Sequence, residues 1–406
     1  MRRFLLFLVI LLPLMLVGCV SMVLPKVSGR TIEAPVRPGF GPEIASLEAW
    51  EANRADLQQM FLDEIYGAYP PASDADILAH EVIDDAAYAG RGFIEQYHLS
   101  LAGRESYLVT VQPVEASGPV PVVVMQMFCG NRAAFGGRED IALAPGTRGC
   151  DGNSWEAILV RGIFGQHIME PPIAEILARG YALAIIYPGD VVPDSSSRAP
   201  EALETLMPGQ TGGAISAWAW VYSRVVDVLE ADPRFDPERM AVWGHSRNGK
   251  SAVLAAAFDP RIDLVIAHQA GTGGTTLSRS HNGESIEQIT GAYPYWFAPG
   301  YSDYAGREDA LPVDQHQLIA LVAPRPILIG GAWRDNWSDP QGSFRAAQAA
   351  NPVYALYGSE GLTQPDLAHF DPEADLAVFM RRGLHGVTPA DWSHFLDFLD
   401  AHFQPE

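Results

Sequence analysis

Apolar residues recur with two different periods in this chain, and the dominant period changes along its length. Between 47 and 66 they keep helical spacing, at Leu47, Trp50, Leu57, Met60, Phe61 and Ile65, before Gly67 and the Pro70-Pro71 pair end the run. The runs 93–101 and 106–114 alternate across a turn at Gly103, so two or three antiparallel strands are expected between Ile77 and Val114. From Val122 to Phe128 the chain is almost continuously apolar, the pattern of a strand buried on both faces. A strand-and-helix rhythm follows: helix 174–179, strand 181–187, helix 214–230, strand 240–243, helix 251–258, strands 264–268 and 326–330, and a closing helix 390–402. Such alternation implies a mainly parallel sheet covered on both sides, with functional groups on loops at the C-terminal strand ends. Residues 271–312 interrupt the rhythm as an insertion. Its aromatics (Tyr293, Tyr295, Trp296, Phe297, Tyr301) make it a natural place for substrate contacts.

The strand 240–243 runs directly into Gly244-His245-Ser246-Arg247-Asn248-Gly249-Lys250, and a helix pattern follows at once. Strand, tight turn with a serine at its apex, then helix is how an α/β-hydrolase presents a nucleophile. Ser246 is read as that nucleophile rather than as an ordinary helix N-cap. The usual signal is G-x-S-x-G, and here the second residue after the serine is Asn248. The fold class is therefore α/β, a three-layer αβα sandwich with antiparallel strands at its N-terminal side.

A serine hydroxyl needs a base, and His385, in the loop before the closing helix, stands where this fold delivers one. His245 adjoins the nucleophile, so its side chain is expected to point away from Ser246. The base in turn needs an acid, and the loop after strand 326–330 offers Asp335 and Asp339. Asp335 is nearer the strand end. Asp339, directly before Pro340, looks more like a helix cap. Charge on a tetrahedral intermediate needs donors already in place; the Arg247 amide is one, and the turn of Cys129, Gly130 and Asn131 is the expected source of another.

Several motifs between Trp218 and Trp392 resemble the bacterial glucuronoyl esterases, carbohydrate esterase family 15: the serine heptapeptide, Gly271-Thr272-Gly273-Gly274, Tyr295-Trp296-Phe297, Ala323-Pro324-Arg325-Pro326 and Asp335-Asn336-Trp337-Ser338-Asp339-Pro340. The resemblance implies hydrolysis of esters of glucuronic or 4-O-methyl-glucuronic acid in polysaccharide or lignin-linked material. It further implies that the Arg247 guanidinium joins the oxyanion site, that Lys250 and Glu284 bind sugar hydroxyls, and that Trp337, with Trp296 and Gln269, contacts the substrate. Two positions depart from the family pattern. Asn131-Arg132 stands where Asn-His is expected, and Gln269 occupies a place where many members carry the triad acid. Glutamine cannot ionise, and losing a triad carboxylate can cost about 10⁴ in turnover. Either Asp335 supplies the carboxylate, which is the expectation here, or catalysis is impaired. The alternatives to a glucuronoyl esterase are a carbohydrate acetyl esterase of the same mechanism and a saccharide-binding lipoprotein that turns nothing over.

Arg2 and Arg3 precede an apolar run from Phe4 to Leu16, closed by Leu16-Val17-Gly18-Cys19. This resembles the bacterial lipobox, which implies a signal peptide over 1–18, lipidation of Cys19, and a tether over 19–45 leading to one catalytic domain at 46–406. Val20 implies an outer-membrane address, so the expectation is a monomeric enzyme of the cell envelope that meets the membrane through its lipid alone. The formal charge of −22 argues against nucleic acid as a partner. His167, His268, His281 and His316 are scattered singly, so no metal site and no cofactor is expected. Cys129 and Cys150 could close a disulfide, or Cys129 could be an apolar filler.

Overall fold

The computed structural model describes residues 44, 46–73, 75–150, 155–280 and 282–404. The expected signal segment, Cys19 and nearly all of the tether lie outside the described residues. Strands β1 (Ala75–Ala86), β2 (Gly92–Leu101), β3 (Arg104–Pro113), β4 (Val120–Gln126), β5 (Ala182–Ile186), β6 (Phe235–His245), β7 (Leu264–His268), β8 (Ile327–Ala332) and β9 (Leu376–Arg381) build one sheet. Its order is β1-β2-β3-β5-β4-β6-β7-β8-β9. Pairing is antiparallel from β1 to β5 and parallel from there to β9.

Because successive side chains on a strand point to opposite faces, the continuous apolar runs feed two cores at once. Val122, Val124, Val242, Val265 and Ile329 enter one; Val123, Met125, Ala241, Trp243, Ile266 and Leu328 enter the other. The first core is covered by α1 (Leu47–Phe61), α3 (Ala214–Glu230), α4 (Arg247–Phe258) and α5 (Pro340–Leu356), and the second by α2 (Ile173–Ala178) and α6 (Pro389–Phe403). This is the three-layer αβα sandwich.

Several elements escape the hydrophobic pattern, among them the helix Ala199–Leu206, α5 and β9. α5 is rich in alanine, which gives little contrast between its faces, and β9 carries five consecutive apolar residues, Leu376 to Met380, a run that periodicity alone does not separate from a buried helix segment. Asp339 caps α5: its side chain accepts from the Gly342 amide at 3.0 Å, with Pro340 at the first helical position. At the opposite edge β1 is twelve residues long and exposes Ile77, Leu78 and Val82, with register shifts between Ile77 and Ala79 and between Val82 and Asp84.

Register fixes the site. His245 lies beside His268, His268 beside Gly330, and Ala332 beside Arg381. The segments that follow β6, β7, β8 and β9 therefore leave the sheet from one edge, side by side. They carry Ser246, Gln269, Asp335 and His385.

Candidate active site

Ser246 sits between β6 and α4 with φ 57° and ψ −123°, a conformation that a residue with a Cβ adopts only under constraint. Two glycines allow it. A Cβ on Gly244 would collide with the Asn248 carbonyl, and one on Gly249 would stand 3.1 Å from the carbonyl oxygens of Gly244 and His268. The turn is then locked by hydrogen bonds: the Ser246 amide donates to His268 O at 2.9 Å, and the Gly249 and Lys250 amides donate to Ser246 O at 2.9 and 3.1 Å. Asn248 has a structural task that glycine could not perform. It is fully buried, and its Nδ2 donates to Gln126 O at 3.0 Å, tying the serine turn to the end of β4.

His385 Nδ1 lies 2.8 Å from Asp335 Oδ2. An ionised carboxylate only accepts, so the proton resides on Nδ1 and leaves Nε2 as the basic atom. Burial alone would raise the Asp335 carboxyl. The His385 hydrogen bond and charge, with donors from Ser338, outweigh it and hold the group below the ordinary carboxylate range. The His385 ring packs 4.6 Å, centroid to centroid, from His245, the residue before the serine. His245 is fully buried with Nδ1 3.1 Å from His268 Nδ1, and burial pushes its pKa well down, so it stays neutral.

On the other side of the serine, the Arg247 amide starts α4, where no intrahelical carbonyl faces it. Its guanidinium lies over the Phe128 ring at 4.6 Å and the Trp218 ring at 5.5 Å and pairs with Asp194 at 3.1 Å. Asp194 also accepts from Tyr295 Oη at 2.6 Å and Trp296 Nε1 at 2.9 Å. Asp194 carries no motif, and sequence reasoning missed it. The expected role of Gly130 as an oxyanion donor is corrected, because its amide donates to Arg148 O at 3.0 Å. Arg132 is likewise turned to the Ile141 and Glu139 carbonyls. Cys129 is buried in the second core, where a small apolar side chain fits, and Cys150 is exposed.

The insertion meets the serine turn through Lys250, whose Nζ donates to Ala270 O at 2.6 Å and Thr272 O at 2.5 Å. An ammonium has three donors, so one remains. Burial lowers Lys250 to about 8 against the attraction of Glu284 and Asp335. Burial likewise raises Glu284, opposed by Lys250 and by the Trp337 hydrogen bond. The Glu284 amide donates to Trp337 O at 2.9 Å, and the Trp337 ring is 52 % exposed beside it. Two expected substrate contacts fall elsewhere. Trp296 is buried against Trp218 with its indole N–H on Asp194, and Gln269 is buried with its amide on the loop of the base.

A strained serine at a strand-to-helix turn, an aspartate-bound imidazole and a parallel sheet define a serine hydrolase of the α/β-hydrolase fold. Residues 161–358 match the family model described as "Glucuronyl esterase, fungi". A carbohydrate esterase from an unknown prokaryotic organism is 33 % identical over 93 % of this chain and 90 % of its own. Among solved structures, a promiscuous carbohydrate esterase family 15 esterase from a marine bacterial metagenome superposes with TM-score 0.77 at 30 % identity, over 91 % of this chain and 98 % of that one. A glucuronoyl esterase from Solibacter usitatus gives 0.76 at 29 %, with the same coverage. The chain belongs to the glucuronoyl esterase family, carbohydrate esterase family 15, and is a carboxylic ester hydrolase.

Proposed function

We propose that this enzyme hydrolyses esters of glucuronic acid and its 4-O-methyl ether, as found in polysaccharide and lignin-linked material. The observation that carries the reading is the 2.8 Å pair of His385 and Asp335 on the sheet edge that bears Ser246 and the Lys250, Glu284 and Trp337 cluster. His385 Nε2 takes the Ser246 proton as Oγ attacks the uronate carbonyl, and the oxyanion meets the Arg247 amide and guanidinium. The imidazolium, stabilised by Asp335, then protonates the departing alcohol. Water enters with His385 as base, and the glucuronate leaves. A partly exposed indole beside a carboxylate and an ammonium suits a sugar ring with its hydroxyls. The Solibacter glucuronoyl esterase, similar over most of both chains, supports the same substrate class.

The test compares kcat/KM on benzyl glucuronate and p-nitrophenyl acetate. A higher value on the uronate ester is expected, and the reverse order would favour the acetyl esterase. Ser246→Ala should lower turnover by roughly 10⁴-fold or more on either substrate; unchanged weak hydrolysis would favour a binding protein.

The sequence Leu16-Val17-Gly18-Cys19 supports a further part of the reading, that the mature chain is held at the bacterial cell envelope by lipid on Cys19. Cys19→Ala should abolish palmitate labelling and move the enzyme to the soluble fraction. Unaltered membrane fractionation would remove the lipid from the account.

A further inference from the structure

His385 is useful only while its ring is aimed, and its loop has no regular structure to aim it. The backbone of 382–386 is held by its surroundings instead. Arg381 donates from Nη1 to Arg382 O at 3.1 Å and from Nη2 to Leu384 O at 2.9 Å and Gly386 O at 2.5 Å. Its Nε is fixed on Asp391, at 2.7 and 2.6 Å from the two carboxylate oxygens, and Asp391 accepts in addition from Thr388 N and Oγ1. The Arg334 amide reaches Gly383 O at 2.9 Å, and the Val387 amide reaches Phe164 O at 2.7 Å. A guanidinium supplies donors only, so it can hold the carbonyls of this loop but none of its amides. The amide of Gly386 needs an acceptor.

Gln269 provides it. Its Oε1 accepts from the Gly386 amide at 2.8 Å, while its Nε2 donates to Leu384 O at 3.4 Å, so one side chain grips the backbone on both sides of His385. Gln269 is itself held rigidly: it is 3 % exposed, its amide donates to Gly330 O at 2.8 Å, and Ser338 Oγ donates to its carbonyl at 3.4 Å. Its φ of 49° lies in the left-handed region that non-glycine residues seldom occupy, and that conformation turns the side chain toward the base loop.

We propose that Gln269 is a positioning residue for the catalytic base, a clamp that needs one donor and one acceptor and for which an amide is the fitting group, and that position 269 holds no share of the triad acid. A carboxylate there would keep the bond to the Gly386 amide, lose the proton for Leu384 O, and face that carbonyl with a negative charge. The proposal rests on the serine-esterase reading of the site but is independent of the sugar.

The test measures kcat and KM on benzyl glucuronate for Gln269→Glu and Gln269→Leu, with thermal midpoints, together with the rate at which a fluorophosphonate labels Ser246. Labelling needs the serine and its base but no sugar, so it tests the clamp even should the enzyme prefer another ester. Misplacing a catalytic group by about 1 Å can cost on the order of 10²-fold. The expected result is a fall in kcat of roughly 10-fold for Gln269→Glu and roughly 100-fold for Gln269→Leu. KM should change less than about twofold, with parallel losses in labelling rate. Where Gln269→Leu does not fold, Gln269→Glu decides alone, since it keeps size and acceptor. Two results would overturn the clamp: a Gln269 variant with wild-type kcat and labelling rate, or Gln269→Glu restoring turnover to Asp335→Asn by about 10-fold or more.

Discussion

The turn after β7 and the segment after β8 rise from neighbouring strands and both end on His385, yet they touch different parts of it. From β8, Asp335 reaches the imidazole nitrogen; from β7, Gln269 reaches only the backbone on either side. A residue that bonds the ring determines the tautomer and stabilises positive charge as it forms. One that bonds the backbone determines where the ring stands. The two tasks ask for different chemistry, a charge in the first case and a paired donor and acceptor in the second, and the sequence meets them with aspartate and glutamine.

The comparison breaks most sharply at Asp335. Asp335→Asn leaves the shape of the site but removes the anion and favours the wrong tautomer, so kcat should fall by about 10⁴ with KM little changed, in steady-state kinetics on benzyl glucuronate. A loss below tenfold would transfer the acid to another residue. Because the Asp335 carboxyl lies below the ordinary range, the anion is present throughout the neutral region.

A smaller effect sharpens the contrast from the side of Lys250, whose ammonium bonds the Ala270 and Thr272 carbonyls in the turn just beyond Gln269. With a pKa of about 8, Lys250 is charged below that pH and loses its proton as pH rises through it. The neutral amine keeps two N–H bonds, which the two carbonyls already occupy, so the third donor is the one that disappears. KM should accordingly rise several-fold above pH 8 while kcat holds. Lys250→Met should show the high KM at every pH, and a KM in wild type that is flat between pH 7 and 9.5 would deny Lys250 a role in binding.

Much of this site is legible in the chain because its logic is local. The serine turn announces itself through Gly244 and Gly249, which a sharp backbone demands, and Asp335 and His385 follow from counting strands in a parallel sheet. What stays hidden depends on contacts between segments distant in sequence. Nothing near Gln269 reveals that Leu384 and Gly386 are its partners, and nothing near Asp194 reveals that Arg247, Tyr295 and Trp296 converge on it. Gly130 misled for the same reason: the turn is where the fold places it, but the Arg148 carbonyl, from a later loop, takes its amide. α5 shows too little contrast between its faces to stand out, although Asp339 marks its start, and the short apolar run of β9 does not by itself separate a strand from a helix segment.

The two register slips in β1 bear on how copies of this molecule behave when crowded. An open strand with Ile77, Leu78 and Val82 bare to water would ordinarily invite a neighbour to dock along it, molecule upon molecule. Each slip breaks the regular ladder of amides and carbonyls and twists the ribbon, so an incoming strand finds a matching run only a few residues long. A backbone that offers no continuous template opposes such docking along this apolar rim.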